Sequence, residues 1–356
     1  MINRGLGLLG VVLLAGCASA PDKEFVAPVF PMPPEQPRFI YERTLISSAD
    51  VEVLTSEDKF KMFATGVAKD ARGLSKPFGV AVHRGRVYVT DTIQNAVVMF
   101  DIPAQKFKTF GNSGPGIVSK PLGIDVSENG EVYVVDSRGK RIVVFSPDGN
   151  YLRALGGREY LERPSGVAVN RNGTRLYVVD TGGVSSDKHR VQVFDALTGE
   201  FIRTIGQRGR EPGEFNLPLL ASTDDAGNLY VMDSSNFRVQ RFSPEGEFQH
   251  TFGKVGRNLG DFARPKGIDV DHDGNIYVVD TSFGNFQIFN NEGQLLMFVG
   301  DRTERNEPAK YILPADIEVD EDGRLYVVEQ FFRRIDVFRP YAMKAEDGYA
   351  GVKKEK

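Results

Sequence analysis

Carboxylates are the groups in this chain whose placement could do chemistry. Asp125, Asp269 and Glu318 fill one recurring position in short apolar runs, where three other copies of the run carry Ala81, Ala168 and Ser222. Alternation along an extended strand puts Asp316 on the same side as Glu318. Like charges gathered in an apolar setting are costly unless neutralised. A basic side chain such as Lys266, water, or a cation of the Ca²⁺ type would neutralise them. Asp269, Asp316 and Glu318 are therefore the candidate metal ligands and calcium the one candidate cofactor, against the plainer alternative of a salt-bridged or hydrated network. A second set, Asp91, Asp136, Asp180, Asp233, Asp280 and Glu329, recurs once in every copy. An active site needs its acid once, whereas a loop built six times needs its backbone N–H groups capped six times. These six are assigned to structure. HExxH, GxSxG and a phosphate-cradling glycine loop do not occur in the sequence.

The elements that must position these residues are short strands. The stretch 264–300 holds an alternating run after Pro265 and Gly267, a turn at 271–274, a β-rich run at 276–279 and a polar loop from Asp280. A third run at 286–289, a turn at 291–293 and a last strand ending at Gly300 complete it. Val, Ile, Tyr and Phe suit a half-buried pleated surface, and Gly, Asn and Asp suit the turns between. The first half of this unit occurs six times, led by Pro77, Pro121, Pro164, Pro218, Pro265 and Pro314 at steps of 44, 43, 54, 47 and 49 residues. Four-stranded units of that period stack radially, which predicts an all-β, six-bladed β-propeller over residues 38–340. The sixth unit has only three strands of its own. Residues 38–46 align with the fourth strands at 151–156 and 201–206 and are expected to close the ring, with a bulge reconciling Phe39, Tyr41 and Leu45 with Ile40 and Ile46.

These units resemble NHL repeats, in which a YVxD strand is followed by a loop ending in Asn, then His or Arg, then Val or Leu. The likeness is carried by 233–242 (DSSNFRVQRF) and 136–145 (DSRGKRIVVF), and more loosely by 180–194. It implies a six-bladed propeller from a family that includes lyases, protein-binding modules and RNA-binding modules. The lyases of that family use several histidines. Of the four here, His83 and His272 fall in first turns on the face away from the channel mouth and His250 in an outer strand, so His189 alone is well placed.

The start of the chain speaks to compartment. Residues 1–16 carry Arg4 and an apolar run at 6–14 too brief to span a bilayer, and they lead into Leu14-Ala15-Gly16-Cys17. This resembles a bacterial lipobox, with a signal peptide over 1–16 and Cys17 lipidated. Cys17 is the only cysteine, so disulfides and cysteine–metal clusters are excluded. The expectation is a lipoprotein of the bacterial cell envelope, in the outer membrane, because Ala18 stands where an aspartate would resemble an inner-membrane retention signal. Residues 17–37, with six prolines, read as a semi-rigid tether. A helix near Ser56, with Phe60 and Phe63 on one face, is expected to seal one mouth or side of the propeller. Residues 341–356 read as a charged, disordered tail.

Charge speaks against one partner class. Lysine plus arginine (44) nearly balances aspartate plus glutamate (48), so no general field for nucleic acid is expected. The loops around the expected channel mouth read neutral to basic, and the opposite turns, such as 271–275 and 320–324, mostly acidic. Phe283, Phe331, Phe332, Arg238 and Arg333 stand in mouth-face loops, as His189 does. Together these are the candidate binding residues, since aromatics and arginine are enriched where surfaces bind partners. With no catalytic constellation, the expected function is non-catalytic binding or scaffolding of another envelope protein or polymer. The alternative is a metal-assisted propeller lyase or hydrolase acting at the channel mouth.

Overall fold

The computed structural model describes residues 25–66 and 70–351. Strands form where β-branched and aromatic residues cluster, and each unit closes into its own antiparallel sheet. Blade 2 is representative: Pro121–Val126, Val132–Asp136, Arg141–Phe145 and Tyr151–Gly156 pair in sequence order. The inner strands of the six blades are Pro77–His83, Pro121–Val126, Pro164–Val169, Pro218–Thr223, Pro265–Val270 and Pro314–Val319. Each touches the next, and the last touches the first. The expected six-bladed β-propeller is the observed fold.

Packing follows the radial plan. Six apolar clusters form, one in each gap between neighbouring blades, so no blade owns its core. The inner strands come close enough to need glycine. A Cβ on Gly267 would lie 2.6 Å from the Asp316 Cα, and one on Gly123 would lie 2.8 Å from the Gly166 Cα.

Closure uses both ends of the chain. Phe39–Leu45 pairs with Arg334–Pro340 as the fourth strand of blade 6, and the register shifts between Tyr41 and Arg43, which is the bulge the sequence required. Arg324, completely buried, fastens this joint: its Nε donates to Glu42 Oε2 at 2.8 Å and its Nη2 to the Asp347 carbonyl at 2.8 Å.

Three expectations at the margins are corrected. The proline-rich segment is not a tether throughout. Val29–Phe30 adds a fifth strand to blade 6, and the Phe30 ring packs edge-on to Phe338 at 5.7 Å. The tail is held over 341–351: the Tyr349 N–H donates to Asp322 at 2.6 Å and Ala350 is buried. The helix, Ser56–Thr65, is capped by Thr55, and it seals nothing. Phe60 and Phe63 are 70% and 90% exposed, because no neighbouring element presents an apolar face to them. Cys17 and the expected signal peptide lie outside the described residues. Among the described residues no helix is long and apolar enough to cross a membrane.

Arg324→Ala should lower stability by about 3 kcal/mol, because removing one partner of a buried ion pair leaves the other desolvated. The figure sits at the low end of that effect because Arg43 also contacts Glu42, at 2.9 Å. Urea unfolding measures it, and an unchanged midpoint would show that closure does not depend on this link.

Candidate functional site

Every inner strand begins at a proline paired with the last residue of the second strand: Pro77 with Asp91, Pro121 with Asp136, and so on to Pro314 with Glu329. The carboxylate there turns to the backbone just before the proline. Asp91 accepts from the Ser75 and Lys76 N–H groups at 2.6 and 2.9 Å, and Asp280 from those of Ala263 and Arg264 at 2.7 and 2.9 Å. All six carboxylates are completely buried. They are loop pins, as their recurrence required. On blades 2, 3 and 4 an arginine completes the pin, with Arg141, Arg190 and Arg238 at 3.4, 3.3 and 2.9 Å from Asp136, Asp180 and Asp233.

Two candidate binding residues are absorbed by this scaffold. Arg238 spends its remaining donors on the Glu211 and Glu214 carbonyls, each at 2.9 Å. His189 is fully buried, with Nε2 donating to the Gly183 carbonyl at 3.0 Å and Nδ1 accepting from the Leu217 N–H at 3.3 Å. It joins blade 3 to blade 4 and offers no nitrogen to a ligand. The others remain on the surface. Phe331 is 55% exposed and stands edge-on to Phe332 at 5.1 Å, and the Arg334 guanidinium lies over the Phe332 ring at 5.2 Å. Arg333 is exposed and Phe283 half-buried.

The channel carboxylates meet, and their work is structural. Asp125 accepts from the Val169 N–H at 2.7 Å, and Asp269 from the Val319 N–H at 2.8 Å and the Ser222 hydroxyl at 2.6 Å. Asp316 and Glu318 accept from Val80 and Val82 at 3.2 and 3.4 Å. Each bond ties one inner strand to that of an adjoining blade. Asp125, Asp269, Asp316 and Glu318 line a void of about 20 Å³, room for about one water. Calcium asks for six to eight oxygens. Among the described residues no three His, Cys, Asp or Glu side chains gather closely enough to hold a metal ion, so the donor set does not fit one. Nor does Lys266 neutralise them; its ammonium feels Arg264, Glu329 and Lys76 instead.

Access to this layer runs opposite to the expected mouth. On the proline face Phe78 of blade 1 packs against the cluster of blades 4 and 5 that holds Leu220 and Ile268, so its ring reaches across the channel. On the turn face a cavity of about 330 Å³ opens, bordered by Glu318, Arg171, Asp225, His272 and Glu321. There the second residue of each first turn forms a ring: Arg84, Glu128, Arg171, Asp225, His272, Glu321. Basic and acidic side chains alternate without exception, which corrects the expectation of a mostly acidic face. Arg171 lies 2.6 Å from Asp225 and 3.8 Å from Glu128, and His272 lies 2.9 Å from Asp225. The His83 ring nitrogen is 3.0 Å from Glu321. The alternation is visible in the sequence once the six turns are aligned by their glycines, a comparison that the four acidic turns alone conceal.

A six-bladed propeller with pinned loops is the class that these features define. The NHL repeat model matches residues 119–145 and 161–194. The mouse (Mus musculus) "NHL repeat-containing protein 3" is 31% identical over 119 residues, which is 30% of this chain and 32% of that protein. The chain therefore spans about a third of the length of that curated relative. A protein of unknown function from Bacteroides thetaiotaomicron superposes with a TM-score of 0.60 at 19% identity, over 84% of this chain and 76% of that one. Virginiamycin B lyase from Staphylococcus aureus gives 0.52 at 16% identity, over 76% and 86%. At such identities these two structures speak to fold alone. Two stretches of this six-bladed propeller, 119–145 and 161–194, thus carry the NHL repeat.

The channel layer makes stability depend on pH. Burial pushes the Asp125 carboxyl from 3.8 to about 7 and that of Asp269 to about 6, and raises those of Asp316 and Glu318 well above their ordinary values. From about pH 4 to 7 these four carboxyls thus hold more protons in the folded chain than in the unfolded one, so their contribution to stability falls as pH rises through that window. Glu318→Gln keeps an acceptor for the Val82 N–H and removes one ionisable group. It should match the parent's melting temperature at pH 4 and exceed it at pH 8. A parallel pair of melting curves against pH would show that Glu318 does not titrate in this way.

Proposed function

We propose that this chain is a non-catalytic binding module of the bacterial cell envelope, lipid-anchored through Cys17, which engages another envelope protein or polymer through its proline-face loops. The observation that carries the reading is Phe331. It is an unrepeated aromatic, 55% exposed, whose neighbour Phe332 is held in place from below by Arg334. An aromatic presented on a rigid base loses little entropy on binding, which is why such residues dominate interface energies. A lyase or hydrolase would need a histidine or carboxylate free to move a proton, and His189, Asp269, Asp316 and Glu318 are each engaged with backbone. The lipobox-like Leu14-Ala15-Gly16-Cys17 supports the anchor, and binding modules among NHL propellers support the role.

Affinity capture from solubilised envelope membranes tests the surface. Phe331→Ala should weaken recovery of the partner about tenfold or more, the scale of an aromatic hot spot. Recovery equal to wild type would remove Phe331 from the interface. The anchor has its own test: wild type should incorporate labelled palmitate and sediment with membranes, and Cys17→Ser should do neither. Membrane association that survives the substitution would overturn lipidation at Cys17.

A further inference from the structure

The residue before each blade-opening proline forms a second ring, on the proline face. It reads Lys76, Lys120, Arg163, Leu217, Arg264 and Leu313. The backbone N–H groups of Lys76, Lys120, Arg163 and Arg264 are held by the pin carboxylates of their own blades. Four basic side chains therefore leave equivalent points around the channel, and all four are exposed. Lys266 stands one step inside, half-buried. Burial, with Arg264 and Lys76 opposing its charge and Glu329 favouring it, lowers the Lys266 pKa from 10.5 to about 8. That coupling places cations from blades 1 and 5 around one point.

The described chain neutralises this crown only in part: Glu329 acts on Lys266, and Glu162, beside Arg163, lies 3.6 Å from Lys188. None of its five side chains has an ion-pair partner among the described residues. The connections at 92–95, 137–140, 234–237, 281–284 and 330–333 contain no acidic residue, and they add Arg138 and Arg333. The sixth, 181–189, has only Asp187, 3.8 Å from Arg208. The turn face answers the same geometry differently, with every basic residue of its ring flanked by acids. A ring of like charge around a half-buried ammonium is unfavourable on its own and becomes favourable when an anion arrives from outside.

We infer that this crown receives an acidic peptide segment of the partner protein, seating one carboxylate over Lys266 and resting neighbouring side chains on Phe78, Leu122 and Leu219. The inference rests on the binding role proposed above and gives that surface its chemistry. The cations circle a narrow apolar throat and do not line a track, so they suit a short segment with both acidic and apolar side chains. A polynucleotide gains from a long file of phosphate contacts. It would also meet the rest of a chain whose net charge is −4. A short acidic segment stays within about 8 Å of the crown, inside the screening length at physiological salt.

The test is fluorescence anisotropy of the detergent-solubilised full-length protein with three labelled probes: a glutamate- and leucine-containing decapeptide, its glutamine counterpart, and a single-stranded oligonucleotide of equal charge. The acidic peptide should bind at least tenfold more tightly than either other probe, and more weakly as salt rises. Lys266→Met, which keeps an apolar stem, and Arg264→Gln should each weaken it by about tenfold, one charge-assisted contact apiece. Glu128→Gln on the turn face should leave it unchanged. Equal binding of the glutamine peptide, tighter binding of the oligonucleotide, or indifference to both crown substitutions overturns the inference. Phe331-dependent capture of a partner alongside any of these results would leave the binding role standing and remove only its acidic chemistry.

Discussion

Radial stacking leaves six inner strands with one edge facing the channel and no strand to pair with, and the rest of the molecule depends on how those edges are satisfied. A free strand edge offers N–H groups that must find acceptors. Here the acceptors are side chains from the adjoining blade. Asp125 serves Val169, Asp269 serves Val319, and Asp316 and Glu318 serve Val80 and Val82. Where no acid is available, hydroxyls take over from the other side. Thr90 donates to the Leu122 carbonyl at 2.6 Å and Ser165 to that of Leu219 at 2.7 Å. Carboxylates in a channel thus arise from a backbone requirement before any catalytic one. Their burial is tolerable because several of them are driven toward the protonated form.

The two faces of the ring handle charge in opposite ways. At the first turns, six exposed side chains alternate between basic and acidic types, and Glu128, Arg171, Asp225 and His272 are linked in a row. At the proline ends the six pin carboxylates are spent inward on backbone N–H groups, and the residues just before the prolines present four exposed cations. A net charge of −4 conceals both arrangements. The same pins that fix the loops hold the backbone of the four basic residues in place. Surfaces that bind by loops on a rigid scaffold gain from this, since little ordering remains to be done.

Fold was legible in the sequence because a propeller writes its chemistry six times. The prolines, the YVxD strands and the turn glycines each report one blade, and Phe39–Leu45 could be matched to the fourth strands it replaces. The bulge at Tyr41–Arg43 followed from side-chain parity alone. Site chemistry was less legible, and for physical reasons. His189 carries no local mark of burial, because both of its partners, Gly183 and Leu217, come from loops whose path depends on neighbouring blades. Arg238 lies in the loop region where a binding arginine would stand, yet it pairs with the Asp233 five residues before it. The Ser56–Thr65 helix shows a limit of another kind. Its apolar residues share a face, as periodicity said, but a face does not reveal whether anything meets it.

The same reasoning separates this chain's chemistry from that of propellers with which it shares an outline. A lyase and a scaffold can use the same six sheets, because fold fixes where loops stand and leaves open what they carry. What matters is whether the groups with chemistry keep a free valence toward solvent. Here the histidine of the expected mouth has both nitrogens engaged and the channel acids serve neighbouring strands. Phe78 reaches across the proline end, and the open cavity beside Glu318 lies on the turn face, past the ring of alternating basic and acidic side chains. On the proline face, cations stand around an apolar throat beside the exposed Phe331. Cations and aromatics on a rigid rim are the features on which the proposed binding role rests.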